Sequence, residues 1–423
     1  MDVSVILPVI NERDNLVALI PHLKTVLTRL GLTFEILVID GGSRDGTREA
    51  AAELGARVEP ERRRGYAGAL ETGFADALGD YFLTMDADLS HDPNFVPRMW
   101  RARTQGDIVI ASRYVRGGAS HGPIVRKEMS RLLNEVQRFA LWMPVRDLSS
   151  GFRLYRRETA AGVNIEGSSF EVQQELLSKA YGRGFSIFEV PFTYFPRGSG
   201  KSHAPLFQLA IGYIRSTINL RNLRNRPDSA DYEERAFYTL RPFRRLRRRD
   251  RHRIITTWAR EADRTLHVGC GSGVVTQSLN NGIGMDRNFD KLRFLSRYGI
   301  AVVCASPDAL PFRDASFDCL IGSTADSPLS AADAILSEMR RVLNPGGRLI
   351  FAGPDRIGAS PFGGRAKAPS IGGQTFELPP RKELEGLLSR NGFAVEEHAS
   401  VAQGEEIVRC QRVAVSNASP ALP

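Results

Sequence analysis

Four strand-length apolar runs, Val3–Leu7, Phe34–Ile39, Tyr81–Met85 and Asp107–Ala111, punctuate the first part of the chain, each stopping at polar or small residues. Between the first two, Leu16, Leu19, Ile20, Leu23, Val26, Leu27 and Leu30 recur at helical spacing. Strands alternating with helices build a doubly wound, mostly parallel α/β sheet, whose ligands gather beyond the carboxyl ends of the strands. The alternation starts again at Thr265, with strands expected at Leu266–Val268, Gly282–Met285, Ala301–Cys304, Asp318–Ile321 and Arg348–Ala352. A chain of 423 residues has room for two such domains, each with its own core.

Between the two series lies RPFRRLRRRDRHR, residues 241–253. Of the formal net charge of +9, its eight arginines and one aspartate supply +7, so the other 410 residues carry only +2. The division predicted is residues 1–225, a basic linker 226–253, residues 254–413 and a disordered tail 414–423. A basic cluster of this kind is drawn to anionic lipid headgroups, or it is a solvated helix packed on acidic patches of its own domains. The stretch 205–220 (PLFQLAIGYIRSTINL) reads as a core helix or an interfacial one. No run approaches 18 uncharged apolar residues, and the start, MDVSVILPVINERDN, reads as a strand rather than a signal peptide. Cys270, Cys304, Cys319 and Cys410 form no CxxC pair, which suits a reducing compartment. The expected location is cytoplasmic, peripheral at the inner face of a membrane.

Four polar motifs stand at the expected strand ends: PVINE (8–12), DGGSRDGT (40–47), DADLSHDP (86–93) and ASRYVRGG (111–118). Two carboxylates one residue apart, Asp86 and Asp88, suit Mg²⁺ or Mn²⁺ bridging a diphosphate. Arg113, Arg126 and Arg197 can pair with phosphate oxygens, and Asp40 or Glu12 can accept from a ribose or base. GSGKS around Lys201 imitates the end of a P-loop, but Phe195 stands where its first glycine is needed.

In this order the motifs resemble the family 2 GT-A glycosyltransferases, and within them the dolichol-phosphate (polyprenol-phosphate) mannosyltransferases. RRRGYAGALETGF, IVIASRY, RKEMSRLLN, RDLSSGFRLYRRE, FEVQQELL and EVPFTYFPRGSGKSH extend the match over roughly residues 1–205. The resemblance implies a GT-A fold with Asp86 and Asp88 as metal ligands. It places Pro8, Ile10, Glu12, Asp40, Asp86, Ala87, Asp88, Arg113 and Arg197 at the donor nucleotide, and Asp88, Arg126 and Arg197 in catalysis. Ile10 replaces an aromatic of the family, Ser90 a glutamine and His203 a lysine. The activity implied is inverting, metal-dependent transfer of a hexose, mannose from GDP-mannose first, to a polyprenyl phosphate. Transfer of glucose or N-acetylhexosamine from a UDP-sugar is the alternative. A phosphate acceptor is already anionic, since a phosphomonoester loses its second proton near about pH 6, so no catalytic base is called for.

In the second series TLHVGCGSG (265–273) sets a glycine-rich turn between a strand and a helix, and GMDRN ends the next strand on Asp286. With SPDALPFRDASFD and LSEMRRVLNPGGRLIF, the order resembles the Rossmann-like class I S-adenosylmethionine-dependent methyltransferases over roughly residues 254–413. The resemblance implies that Gly269, Gly271 and Gly273 approach the cofactor, Asp286 its ribose, and Asp308 with Ala309 its adenine. His267 stands where that family has an acid, and GSTADSPLS offers no acceptor motif. The partners expected are a nucleotide-sugar donor, a polyprenyl phosphate and an anionic membrane surface met through the basic linker; nucleic acid is not among them. Two rival readings make the chain an RNA methyltransferase anchored by its arginines, or a non-enzymatic regulator that binds nucleotide sugars. A scaffold role for the second domain is a further alternative.

Overall fold

The computed structural model describes residues 1–121, 124–167, 169–195, 206–238, 242–323, 331–352, 370–371, 374–375, 381–401 and 405–413. The chain divides into two units, Met1–Asn225 and Arg226–Pro423.

In the first unit the strands are β1 (Val3–Val9), β2 (Phe34–Asp40), β3 (Arg57–Pro60), β4 (Tyr81–Thr84), β5 (Ile108–Ser112), β6 (Ala119–Ser120), β7 (Arg153–Arg156), β8 (Ile187–Pro191) and β9 (Thr193–Tyr194). The helices are α1 (Arg13–Arg29), α2 (Thr47–Glu53), α3 (Tyr66–Asp76), α4 (Val96–Ala102), α5 (Ile124–Leu141), α6 (Arg157–Ala160), α7 (Val172–Gly182) and α8 (Leu206–Arg224). The main sheet runs β3-β2-β1-β4-β7-β5-β8. Its first four strands are parallel, and β7 lies antiparallel to both β4 and β5. Helices cover both faces, which is why β1 and β5 are apolar along nearly their whole length instead of alternating. Leu16, Leu19, Ile20, Leu23, Val26 and Leu27 of α1, the residues that recur at helical spacing, are all buried in that core. β1 and β2 pair from Val3↔Phe34 to Val9↔Asp40, which delivers PVINE and DGGSRDGT to the same sheet edge.

In the second unit the strands are β10 (Thr265–Val268), β11 (Gly282–Asp286), β12 (Ala301–Cys304), β13 (Phe317–Ser323), β14 (Leu343–Ala352), β15 (Ser370–Ile371), β16 (Gln374–Thr375), β17 (Phe393–Val401) and β18 (Glu405–Arg412). The helices are α9 (Tyr232–Phe237), α10 (Pro242–Ala259), α11 (Phe289–Ser296), α12 (Ala332–Val342) and α13 (Arg381–Arg390). The sheet order is β12-β11-β10-β13-β14-β18-β17, with five parallel strands and an antiparallel pair at one edge. The order reverses at β10, so the crevice between the ends of β10 and β13 is where such a sheet takes a ligand.

Within 226–253, expected as a linker, residues 232–237 and 242–253 are helical. Both α9 and α10 belong to the second unit, and the end of α10 sinks Ile255, Trp258 and Ala259 into a core with β13 and β14. Arginine is a good helix former, so a basic run anchored by apolar residues at one end continues as helix. The arginine side chains up to residue 248 and the tail 414–423 lie outside the described residues. Among the described residues, no helix is long and apolar enough to cross a membrane.

Candidate active site

Asp40 ends β2 and is buried. Its carboxylate accepts from the backbone N–H groups of Gly42 (3.2 Å) and Ser43 (3.1 Å), so one acid both shapes the GGS turn and presents its remaining lone pairs at the strand end. PVINE is laced to the same turn. Asn11, held at φ 55, donates from its backbone to Ser43 Oγ (2.8 Å) and accepts at Oδ1 from Arg44 N (2.9 Å). Glu12 N donates to Thr47 Oγ1 (3.0 Å), and the Glu12 carboxylate accepts from Asn15 Nδ2. Pro8 lies within β1, and Ile10 is exposed at its end, an apolar surface where the family carries a ring. Beside this floor stands Glu61, an acid that belongs to none of the sequence motifs. Burial raises its pKa, and the nearby Asp40 charge adds to the rise.

Asp86, Ala87 and Asp88 follow β4 after the buried Met85. Asp88 is buried and accepts at Oδ1 from Ser90 N (3.1 Å) and Ser90 Oγ (2.5 Å), so the serine that replaces the family's glutamine orients the second acid. The next residue, Leu89, sits at φ 63, a backbone conformation a leucine adopts only under constraint. His91 is buried against Phe152, with ring centroids 4.9 Å apart, and its Nδ1 accepts from Asp86 N at 2.9 Å. Burial holds the imidazole neutral, pushing its pKa down against the pull of Asp86 and Asp88. Both acids offer hard oxygen donors, and among the described residues no third His, Cys, Asp or Glu completes a metal cluster with them. They fit Mg²⁺ or Mn²⁺ as a cation whose remaining ligands are diphosphate and water oxygens.

A second polar group converges on Asp86. A methyl placed on Gly151 would lie 3.0 Å from Tyr66 Oη, 3.4 Å from Gln173 Nε2 and 3.6 Å from Asp86 Oδ1. Gln173 is buried and donates from Nε2 to Tyr66 Oη (2.7 Å), while its side-chain Oε1 has no partner among the described residues. Tyr66 stacks on Phe170, and burial followed by the Asp86 charge keeps its phenol protonated. A donor and an acceptor beside Asp86 suit sugar hydroxyls.

Arg113 is placed differently from its expected part. Its Nε and Nη2 grip the buried Asp147 carboxylate at 2.8 and 2.7 Å, and Nη2 also donates to Ser149 Oγ. Its charge is thus already neutralised by a carboxylate to which the motifs assign no role. The side chain of Arg126, and Arg197, Lys201 and His203 altogether, lie outside the described residues.

In the second unit Gly269, Gly271 and Gly273 have φ of 70, 57 and 77, the left-handed region glycine adopts without penalty. Asp286 ends β11, buried, and accepts from Gly271 N (2.9 Å) and Asn288 N (2.8 Å). Glycine amides facing a strand-end carboxylate fit the adenosyl cofactor of the resembled family. Gly273 also serves the packing, since a methyl on it would strike Leu295 at 2.2 Å. Asp308 is exposed, its pKa lowered by the Ser306 hydroxyl and then by Arg287, and Ala309 beside it is exposed too. The space before Gly271 is taken by Glu233 of α9, whose carboxylate accepts from Ser272 N (3.0 Å) and pairs with Lys291. Nothing in the linker composition signals that contact.

Residues 4–161 match the family Glycosyl transferase family 2, and residues 266–351 match the family Methyltransferase domain. The dolichol-phosphate mannosyltransferase of Pyrococcus furiosus is 39% identical over 211 residues, 48% of this chain and 59% of the relative. The polyprenol monophosphomannose synthase of Mycolicibacterium smegmatis is 34% identical over 214 residues, 47% of this chain and 79% of the relative. The chain therefore spans only 59% of the length of the first relative. Among solved structures, glucosyl-3-phosphoglycerate synthase from Mycobacterium tuberculosis, in complex with Mn²⁺, UDP and glucosyl-3-phosphoglycerate, is 24% identical with a TM-score of 0.43, covering 52% of this chain and 80% of that one. The chain belongs to glycosyl transferase family 2 through its first unit, a GT-A fold, and carries a methyltransferase domain in its second.

Proposed function

We propose that the first unit transfers a hexose from a nucleoside diphosphate to a polyprenyl phosphate, with mannose from GDP-mannose as the leading pair and a UDP-sugar as the alternative donor. The observation that carries this reading is the Asp86–Asp88 pair at the end of β4, fixed by Ser90 and His91 beside the Asp40 floor. The names of the two relatives, a dolichol-phosphate mannosyltransferase and a polyprenol monophosphomannose synthase, supply the acceptor class.

The chemistry asks little of acid–base groups. An anionic phosphate oxygen of the acceptor attacks the anomeric carbon from the face opposite the leaving group. The new carbon–oxygen bond forms as the bond to the nucleoside diphosphate breaks, the diphosphate keeps the electron pair, and the configuration inverts. A divalent cation, when bound, offsets the charge gathering on that diphosphate. Asp86 and Asp88 would hold it, Asp40 and Glu12 would orient the nucleoside, and Tyr66 with Gln173 would hold sugar hydroxyls so that the anomeric carbon faces the acceptor. Arg126 and Arg197 are assigned to the phosphates. The acceptor's lipid chain puts the reaction at a membrane surface, on the cytoplasmic side that supplies nucleotide sugars.

For the second unit we propose an S-adenosylmethionine-dependent methyltransferase, its cofactor held by Gly269, Gly271 and Asp286, with Asp308 and Ala309 at the adenine. The deciding experiment supplies labelled GDP-mannose or UDP-glucose with polyprenyl phosphate and Mg²⁺ and follows label into an organic-extractable lipid. Wild-type turnover in Asp88→Ala would sink the assignment. Calorimetric binding of S-adenosylmethionine by the wild type, lost in Asp286→Ala, is the expected result for the second unit, and no binding by the wild type would favour a scaffold.

A further inference from the structure

The carboxyl ends of β1, β2 and β3 meet at a floor whose backbone donors are already engaged. Gly41 N–H donates to Val9 O (2.9 Å), Gly42 and Ser43 N–H to the Asp40 carboxylate, and Arg44 N–H to Asn11 Oδ1. On the β3 side Glu61 N–H donates to Asp40 O (3.1 Å), and Gly65 N–H to Glu61 Oε2 (3.1 Å). What these residues still offer a ligand is therefore carboxylate oxygen, which only accepts.

Those acceptors gather around Glu61. Its carboxylate stands over the end of β2, where a methyl built on Gly41 would lie 3.5 Å from Glu61 Oε2 and 3.7 Å from its Cδ. Oε2 is occupied by Gly65, whereas Oε1 has no hydrogen-bond partner among the described residues. Burial raises the Glu61 pKa over the opposing pull of the Gly65 hydrogen bond and the Arg64 charge, and the Asp40 charge adds to the rise. Two acids this close disfavour each other's charge, and a ligand that donates to both relieves that cost. Arg48 stands 3.9 Å from Asp40 Oδ2, too far for a hydrogen bond, so the lone pairs left on Asp40 stay available.

The base edge that fits is one rich in donors. Guanine presents a ring N–H with an amino group beside it, two neighbouring donors for carboxylate oxygens. Uracil presents a single ring N–H between two carbonyl oxygens, so a second carboxylate beside it would face oxygen with oxygen. Adenine and cytosine have no ring N–H on that edge. Ile10, 60% exposed just past β1, gives a base an apolar face to lie on. We propose that Glu61 makes the first unit selective for guanine nucleotides, its Oε1 accepting from the 2-amino group while Asp40 accepts from the ring N–H. The proposal rests on the reading of this floor as the donor-nucleotide site. It turns the choice between a GDP-sugar and a UDP-sugar into a property of one side chain that belongs to none of the sequence motifs.

The test is calorimetric titration of the full chain, with Mn²⁺ present, by GDP, by UDP and by inosine diphosphate, whose base is guanine without the 2-amino group. Wild type is expected to bind GDP at least about tenfold more tightly than either of the others, because a polar site rejects an analogue that leaves one of its groups unpaired. Glu61→Ala should bring GDP down to the inosine diphosphate value and bind inosine diphosphate and UDP no more weakly than wild type does. Gly65 is exposed, so its N–H turns to water in that variant and the loop loses little. Glu61→Gln, which keeps one acceptor oxygen, should fall between the two proteins. A wild type that does not separate GDP from inosine diphosphate would overturn the proposal. So would a Glu61→Ala protein that keeps the gap or loses all three ligands equally. Hexose transfer to polyprenyl phosphate from a UDP-sugar, with no preference for GDP, would overturn it as well and leave the transferase reading standing. A GDP preference abolished by Glu61→Ala in a chain that transfers to no polyprenyl phosphate would instead remove that acceptor and leave the role of Glu61 intact.

Discussion

His91 Nδ1 accepts a hydrogen bond from the backbone N–H of Asp86 at 2.9 Å, which fixes the ring's proton on Nε2, 4.0 Å from the Asp86 carboxylate. A neutral, buried imidazole thus sets the backbone that carries Asp86, the first of the two acids proposed to hold the metal, and faces the acid itself. His91 is a positioning residue, and substitutions of such residues behind metal ligands cost about 10- to 100-fold in metal affinity. His91→Phe keeps the stack on Phe152 and removes both nitrogens. The expected outcome is a protein that melts near wild type but binds Mn²⁺ with nucleoside diphosphate at least about tenfold more weakly, read by calorimetry. Unchanged Mn²⁺ affinity would show that the loop holds Asp86 without the ring.

Arg113 and Asp147 form a buried pair that should act on stability before catalysis. Burial alone would raise the Asp147 pKa, but the Arg113 charge and hydrogen bonds outweigh it and hold it below the usual value. Asp147→Ala leaves a guanidinium uncompensated in the interior, an expected loss of about 3–5 kcal/mol in denaturant unfolding. The double substitution Arg113→Met/Asp147→Leu should recover much of that loss, since an apolar pair of similar volume replaces the ions. A single and a double variant of equal stability would contradict the pairing. The carboxylate's folded pKa is depressed, so its contribution is complete above the unfolded value near 3.8 and fades as pH falls through the folded one.

Gly151 makes a narrower prediction about the sugar. Gly151→Ala puts a methyl 3.0 Å from Tyr66 Oη and 3.4 Å from Gln173 Nε2, tight enough that the pair must shift by a few tenths of an ångström. The expected outcome is a raised KM for the nucleotide sugar, with less change in affinity for the free nucleoside diphosphate, because the proposed site sets that pair against the sugar and not the nucleoside. Equal losses for both ligands would place Gly151 at the nucleotide instead.

The parts of the fold legible beforehand are those where the period speaks. β1, β2 and α1 bury the residues their spacing nominates, because helices on both faces of a parallel sheet demand continuous apolar strands. Short strands with polar residues escaped: β3 is RVEP and β7 RLYR, and Arg153 of β7 is fully buried, its charge met by the carbonyls of Leu148 and Gln173. Within the candidate site, the placing of Asp40, Asp86 and Asp88 at strand ends was legible because each closely follows a strand-length apolar run. Asp147 and Glu233 were not, since each acts on a partner remote in sequence, Arg113 in one case and Ser272 in the other. The basic run misled for a related reason: its charge was visible, while the Ile255 and Trp258 contacts that make it a helix of the second unit are tertiary.

His267 gives the second unit a pH signature of its own. It lies buried in β10 with Nδ1 2.8 Å from Thr276 Oγ1, and burial, with a smaller push from Arg251, takes its pKa from 6.5 down to about 3. Above 6.5 the ring is neutral in the folded and the unfolded chain alike, and it contributes nothing to the pH dependence. Below that value the unfolded chain takes up a proton that the folded one refuses. Stability therefore falls toward about pH 3, by at most about 1.4 kcal/mol per pH unit. His267→Gln keeps a partner for Thr276 Oγ1 and abolishes the titration. Denaturant midpoints of the second unit, followed from about pH 8 down to about pH 5, should fall less steeply in the variant than in wild type. The difference between the two curves isolates this ring, because every other titrating group is common to both proteins, and parallel curves would mean that His267 takes up its proton in the folded state. A neutral ring also leaves the negative charge around the glycine turn to Asp286 and Glu233, so His267→Asp should lower the stability of the second unit sharply by burying a further carboxylate beside a turn that already holds two.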